Sequence, residues 1–168
     1  MDGLVNWFME ALGNLPGEWV AFIISMVPIL ELRGGLLAAS LLGVDILVAV
    51  PLCIIGNIIP IPFILWFITP IFNALKKTKL FRPLVEKLEK KAMSKSDKIE
   101  KGYFWGLALF VGIPLPGTGA WTGSLIAAML DIPKKKSIPA ILLGIAIATI
   151  IMAFVSYGLL GSIVNLFN

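Results

Sequence analysis

Two ionisable side chains lie two residues apart inside an apolar stretch of the sequence. Glu31 and Arg33 belong to the segment V-P-I-L-E-L-R-G-G at 27–35, within a stretch that is otherwise apolar from 19 to 42. Charge is costly at membrane depth, so such residues are interpreted first as functional and are expected to have a partner. Glu31 can bind a proton or a cation, and Arg33 can receive an anionic headgroup through its planar guanidinium. The structural alternative is an ion pair between the two.

Other polar groups within the apolar stretches are candidates for the same site. Glycine pairs in two segments let backbone amides approach a ligand closely, or else serve tight packing between helices. Hydroxyl and amide side chains can bind substrate, or join one helix to another. The candidate substrate- or ion-binding residues are Glu31, Arg33, Gly34, Gly35, Asn57, Gly117, Thr118, Gly119 and Thr122.

The composition is typical of an integral membrane protein. The 168 residues are 58% hydrophobic and 14% charged, and the mean hydropathy is +0.95. Soluble domains have about 45–50% apolar and about 25% charged residues. The first residues are acidic rather than basic, so we expect no cleaved signal there. The prediction is an all-α integral membrane protein.

The residues that are missing narrow the function. The chain contains no histidine and a single cysteine, Cys53, which leaves no disulfide framework within one chain and no His-based metal site. It also lacks the glycine-rich motif that cradles nucleotide phosphates. We therefore predict no enzyme activity, no cofactor and no metal centre.

Prolines and glycines interrupt the long apolar stretches. Pro28 with Gly34–Gly35 breaks the stretch at 18–43, and Pro114 and Pro116 break the stretch at 103–130. Each is either one damaged spanning helix or two short helices in a re-entrant hairpin. The remaining elements are an interfacial amphipathic helix at 2–15, a kinked spanning helix at 46–75, a basic amphipathic helix at about 81–101 and a last spanning helix at 137–160.

Basic residues predict the topology. Residues 76–101 hold 10 of the 14 lysines and arginines, and 134–136 are three lysines. Cytoplasmic loops carry the excess of basic residues. Both clusters are cytoplasmic only if 103–130 is a hairpin. If 18–43 is a hairpin as well, both termini of this multi-pass protein of the plasma membrane lie outside. We expect residues 76–101 to contact an anionic lipid surface rather than nucleic acid, the alternative being a solvated loop.

An ungapped shift of 86 positions supports an internal repeat. It aligns Trp19 with Trp105, Pro28 with Pro114, Asp45 with Asp131, and Ile46 with Ile132. The two aspartates are also expected to cap the helices that follow them. The prediction is a single membrane domain of two repeats, 1–75 and 76–168, each an interfacial helix, a re-entrant hairpin and a spanning helix. Because each repeat crosses the membrane once, the second is inverted. Two full crossings enclose little volume, which favours a homodimer.

Two motifs carry a family resemblance. P-I-L-E-L-R-G-G at 28–35, with P-L-P-G-T-G-A-W-T-G-S at 114–124, resembles the putative small multidrug export protein family. That family is in turn distantly similar to the DedA superfamily, and this resemblance implies two inverted re-entrant hairpins and the flipping or scrambling of lipids such as undecaprenyl phosphate. The second hairpin of DedA proteins carries arginines, whereas the tip here, including Thr118, is uncharged.

These observations favour a secondary transporter or flippase for an amphiphilic substrate, with an anionic lipid carrier as the first hypothesis. The second hypothesis is a small multidrug exporter for cations, driven by a proton or sodium gradient. A third is a membrane scaffold that transports nothing. Glu31 and Arg33 are central to the first two.

Overall fold

The computed structural model describes residues 15–78, 82–83, 86–87, 90, 102–115, 117–130 and 132–159. Nearly all of the predicted interfacial helix at 2–15 and most of the predicted basic helix at 81–101 lie outside these residues. The hairpin breaker Pro116 and the predicted cap Asp131 lie outside them as well.

The regular structure of the described residues is helical throughout, which confirms the all-α prediction. The helices are α1 (Gly17–Met26), α2 (Glu31–Leu41), α3 (Ile46–Ile58), α4 (Pro60–Lys76), α5 (Tyr103–Gly112), α6 (Ala120–Met129) and α7 (Lys134–Ala153), and α7 continues into a π-helical segment (Phe154–Leu159). We call α1 and α2 the first helix pair, and α5 and α6 the second.

Both helix pairs are broken at a proline, as predicted. Val27 before Pro28 is extended, with φ −75° and ψ 131°, and Ile113 before Pro114 is extended with φ −79° and ψ 121°. A residue before proline is disfavoured in the helical region, so each helix ends there. The first break continues through Ile29, whose φ is +78°, to Glu31, whose φ is +50°.

Gly34 and Gly35 do not break the helix, so that part of the prediction is wrong. Both are buried within α2. A Cβ on Gly35 would meet Oγ of Ser25 and lie 2.8 Å from the carbonyl oxygen of Ala21, both on α1. The glycine pair therefore lets α1 and α2 pack closely rather than forming the turn between them.

Two apolar stretches are long enough to cross a membrane. They are Ile46–Ile68 and Lys134–Gly158, with mean hydropathies of 2.3 and 2.7. The first includes all of α3 and the start of α4, joined through Ile59, whose backbone is helical. Asp45 caps α3 by accepting a 2.8 Å hydrogen bond from the amide of Leu47, as predicted. The last helix begins at Lys134, three residues before the prediction.

The packing of the helices brings the two breaks together. Helix α1 packs on α2 and α3, α5 packs mainly on α7, and α6 packs mainly on α4. Helix α2 also contacts α7, so the first pair lies against the second half of the chain. One buried cluster includes Leu32, Leu36 and Cys53, and another includes Leu107 and Ile141. We call residues 27–30 the first loop, and residues 113–115 with 117–119 the second loop. The second loop lies against the start of α2.

Candidate functional site

Arg33 holds the end of α5 and the loop that follows it. Its Nη1 donates to the carbonyl oxygens of Leu115 at 2.9 Å and Thr118 at 3.1 Å. Its Nη2 donates to the carbonyl oxygens of Val111 and Ile113, both at 3.2 Å, and to Oγ1 of Thr118 at 3.1 Å. The side chain is 6% exposed. The last carbonyls of a helix have no amide partners within it, and here the guanidinium donates to them. Its positive charge also interacts favourably with the dipole at the C-terminus of α5.

Glu31 performs the opposite role at the start of α6. Its Oε2 accepts from the amide of Ala120 at 3.0 Å, and its Oε1 accepts from the amide of Trp121 at 2.9 Å. The side chain is 4% exposed. A carboxylate at a helix N-terminus satisfies free amides and interacts favourably with the helix dipole. We call Glu31, Arg33 and their hydrogen-bond partners the clasp.

The clasp is not the ion pair that the sequence suggested as an alternative. In the part of the chain that the structure describes, the ion pair joins Arg82 and Glu86, at 2.9 Å. Glu31 and Arg33 both belong to α2, and positions two apart on a helix do not face each other. Arg33 therefore binds the C-terminal end of α5 and the loop after it, whereas Glu31 binds the N-terminal end of α6.

The clasp requires glycine at position 119. The φ of Gly119 is +134°, and a Cβ there would collide with the carboxylate of Glu31. A side chain at this position would therefore displace Glu31 from the amides of α6. Gly119 serves close approach, as the sequence suggested, and the approaching group is the chain's own carboxylate.

A cavity of about 290 Å³ opens beside Glu31, between the two loops and α4. We call it the Glu31 cavity. Its wall combines one carboxylate and two hydroxyl side chains with an aromatic and several aliphatic side chains. The lining residues are Pro28, Ile29, Glu31, Ile64, Ile68, Gly117, Thr118, Trp121, Thr122 and Leu125.

The structure brings together some of the predicted site residues and separates others. Glu31, Gly117, Thr118 and Thr122 line the cavity, as does the breaker Pro28. The others lie elsewhere: Arg33 in the clasp, Gly34 and Gly35 between helices, Gly119 against the carboxylate, and Asn57 buried in α3, 3% exposed. The predicted breaker Pro114 lies in the second loop.

Sequence reasoning missed most partners of the two charges because, apart from the Thr118 hydroxyl, they are backbone groups. The amides of Ala120 and Trp121 carry no signal in their side chains. The position of Gly119 just before a half-helix offered one, since it marks a helix N-terminus that can bind an anion. The apolar wall from α4, at Ile64 and Ile68, could not be assigned without the packing.

The described residues hold no cluster of three or more histidine, cysteine, aspartate or glutamate side chains placed to bind a metal ion. The cavity lining places Glu31, Thr118 and Thr122 beside an apolar wall, and these groups can recognise an ion or form hydrogen bonds. Such a combination suits a small amphiphilic ligand.

Comparison with protein families agrees with the sequence motifs. The model of the putative small multi-drug export protein family matches residues 31–151. Because the match covers most of the chain, this protein belongs to that family. Comparisons with curated proteins and with solved structures gave no match.

The family and the helices point in the same direction. The family is named for export, which is a transport function. The two long apolar stretches leave large side chains exposed, including Phe63 at 63%, Ile150 at 71% and Phe154 at 74%. Large exposed apolar surfaces mark contact with another apolar phase. Together these findings indicate a membrane transport protein.

Proposed function

We propose that this protein is a multi-pass transporter that exports small amphiphilic cations, and that the substrate binds in the Glu31 cavity. One observation carries the proposal: Glu31 lines the cavity, whereas Arg33 does not and both of its terminal nitrogens donate to the second loop. Each oxygen of Glu31 accepts one backbone amide and keeps a further lone pair for a ligand. The charge that a ligand would meet is therefore negative. A cavity of about 290 Å³ suits a small molecule.

The lining also suits the apolar part of such a substrate. Trp121 offers an aromatic ring, and aromatic rings attract cations through their π face. Ile64, Ile68 and Leu125 offer aliphatic surface on the opposite walls. A cation with an apolar body would place its charge near Glu31 and its body toward α4.

Glu31 also provides a means of coupling. A carboxylate can carry either a proton or a substrate cation, and each occupant weakens the binding of the other. Exchange of the two across the membrane would drive export by a proton gradient, and a sodium ion could replace the proton in the same scheme. This coupling is part of the proposal.

We also propose the architecture predicted from sequence, with two inverted repeats whose broken pairs are re-entrant hairpins, as in DedA proteins. In support, α1 spans 17–26 and α5 spans 103–112, which are 86 residues apart at both ends. Inverted repeats with broken helices are a transporter architecture. Under this proposal both basic clusters face the cytoplasm, the termini lie outside and two copies form a homodimer.

Transport of an anionic lipid carrier is the competing hypothesis, and it requires Arg33 to receive a phosphate. Arg33 would first have to leave the carbonyl oxygens of Val111, Ile113, Leu115 and Thr118. That exchange would leave several buried carbonyls without donors, each at a cost of about 1–3 kcal/mol. For this reason we favour the cation.

Flux from proteoliposomes tests the two hypotheses together. We expect wild-type protein to transport a lipophilic cationic dye against a proton gradient and to leave a polyprenyl phosphate unmoved. Glu31→Gln should abolish dye transport. Movement of the polyprenyl phosphate, lost in both Glu31→Gln and Arg33→Ala, would instead support the lipid carrier. Inactivity toward both, with every variant folded, would favour the scaffold.

Because Glu31 also caps α6, a second variant must test the cavity without disturbing the clasp. Leu125→Trp fills the cavity from its aliphatic wall and should reduce dye transport at least tenfold. The matched control is Leu109→Trp, which adds the same ring at an exposed position of α5 outside the cavity. Equal transport by the two tryptophan variants would contradict the proposed location of the substrate.

A further inference from the structure

A second cavity lies at the junction of α4, α6 and α7. Its volume is about 570 Å³, and its lining includes Leu65, Trp66, Ala127, Ile132, Lys134 and Lys135. We call it the Lys134 cavity. None of its lining residues belongs to the Glu31 cavity, so any role it has is separate from the transport site proposed above.

The polar end of this cavity is positive. Lys134 and Lys135 both line it, and none of the described residues around it is acidic. Nζ of Lys134 lies 5.4 Å from the centre of the Trp66 ring, which is a cation–π contact. This contact holds one ammonium group at the mouth of the cavity, with Lys135 beside it. The arrangement selects for an anion.

The rest of the cavity lining is apolar, and an exposed aromatic surface lies beside it on α4. Leu65, Ala127 and Ile132 form the wall. Phe63 lies one turn before Trp66 on the same face of α4, is 63% exposed and stacks on Phe67 at 6.4 Å. An anion bound by the lysines would therefore have an exposed aromatic surface beside it for an attached chain.

The position along the two apolar stretches matches a membrane boundary. Trp66 lies 20 residues after Ile46, where α3 begins, and 20 helical residues span about 30 Å, the thickness of a bilayer core. Lys134 is the first residue of α7. Tryptophan and lysine are both enriched where membrane helices meet the headgroups. The cavity therefore opens where the phosphates of lipids would lie if these stretches span a bilayer.

We infer that the Lys134 cavity binds an anionic phospholipid, with the phosphate between Lys134 and Lys135 and an acyl chain along Trp66 and Phe63. The charge complementarity selects the headgroup, and the adjacent apolar surface selects a lipid over a soluble phosphate ester. A lipid here would bridge α4 and α7 at one membrane face.

Fluorescence quenching in nanodiscs tests this inference. The protein is placed in phosphatidylcholine nanodiscs that contain increasing fractions of phosphatidylglycerol with brominated chains, which quench nearby tryptophans. We expect quenching at a lower lipid fraction for brominated phosphatidylglycerol than for brominated phosphatidylcholine. The chain has five tryptophans, so the quenched signal must be assigned to one of them. If Trp66 is the quenched residue, Trp66→Phe should remove the difference between the two lipids.

A pair of charge variants provides the matched control. Lys135 lines the cavity and Lys136, in the same cluster, does not. Lys135→Gln should raise the phosphatidylglycerol fraction for half-maximal quenching about fivefold, which corresponds to one lysine contact at a membrane surface. Lys136→Gln should change it less than twofold. Equal effects would overturn the site in favour of general surface charge.

Two further results would also overturn the inference. Equal quenching by the two brominated lipids would show that no anion is selected. Relief of quenching by millimolar glycerol phosphate would show that the cavity takes a soluble phosphate ester rather than a lipid. Selective quenching that glycerol phosphate leaves unchanged is the result we expect.

Discussion

We expect Arg33→Ala to destabilise the protein strongly, because Arg33 is one of the two charged residues of the clasp. The substitution removes the donor that binds the carbonyl oxygens of Val111, Ile113, Leu115 and Thr118. The second loop would lose its anchor, whereas Glu31 would keep the amides of Ala120 and Trp121.

The expected loss of stability follows from these contacts. A buried acceptor left without its donor costs about 1–3 kcal/mol, and the carbonyls of Val111 and Thr118 at least lose theirs, so the total loss is about 2–6 kcal/mol. For a chain of this length, 1 kcal/mol corresponds to about 2–4 °C in Tm. We therefore expect Arg33→Ala to lower Tm by about 10 °C. Arg33→Lys keeps the charge but has three donors for five acceptors, so its Tm should fall between those of wild type and Arg33→Ala.

Thermal unfolding of purified protein in detergent measures this effect, with Arg82→Ala as the matched control. Arg82 also binds a carboxylate, at 2.9 Å, but its side chain is 66% exposed. Exposed pairs contribute about 0–1 kcal/mol, so this variant should lose no more than about 4 °C. Millimolar guanidinium, well below denaturing concentrations, should raise the Tm of Arg33→Ala and leave Arg82→Ala unchanged.

Equal melting temperatures for Arg33→Ala and Arg82→Ala would refute this reasoning. They would mean that the carbonyl groups of the second loop find other donors once the guanidinium is gone. The hydroxyl of Thr118, which is within 2.8 Å of the carbonyl oxygens of Ile113 and Leu115, is the nearest candidate. One hydroxyl hydrogen cannot serve both.

Three further predictions concern particular positions. Gly119→Ala should destabilise the fold by about 3 kcal/mol and abolish transport, because its φ of +134° is nearly restricted to glycine and a Cβ would displace the clasp carboxylate; a Tm equal to wild type would contradict this. Gly35→Ala should lower the free energy of unfolding by about 2 kcal/mol, because the added Cβ collides with α1. The control is Gly102→Ala, whose Cβ has no neighbour within 4 Å. Equal unfolding curves for the two variants would support a role other than packing for Gly35. Single cysteines at Asp45 and Lys136, in a background without the native cysteine, should react with a membrane-impermeant thiol reagent from opposite sides. Labelling from one side would exclude the proposed topology.

Local chemistry allowed much of the fold to be predicted. Pro28 and Pro114 restrict the residue before them, so both breaks could be read from the sequence. The cap by Asp45 follows from its position just before an apolar stretch. Gly34 and Gly35 were assigned to the break because glycine is a poor helix former, but close packing against α1 determines their place.

The site was harder to predict because, apart from the Thr118 hydroxyl, the hydrogen-bond partners of Glu31 and Arg33 are backbone groups. The cost of charge in an apolar stretch pointed correctly to Glu31 and Arg33 as residues with partners. Nothing in the sequence showed that those partners are amides and carbonyls some 80–90 residues later. The N-terminus of α6 does bind an anion, and that anion is a carboxylate of the protein itself.

The clasp also limits which surfaces can move during transport. Separation of α2 from the second loop would leave two charges and several carbonyls without partners in an apolar environment, at a cost of several kcal/mol. Helix α4 forms the opposite wall of the Glu31 cavity through Ile64 and Ile68, and these contacts are apolar. Sliding or rotation at apolar contacts breaks no hydrogen bonds. If the cavity opens alternately to the two sides, we therefore expect the clasp to move with the second pair and the opening to occur along α4.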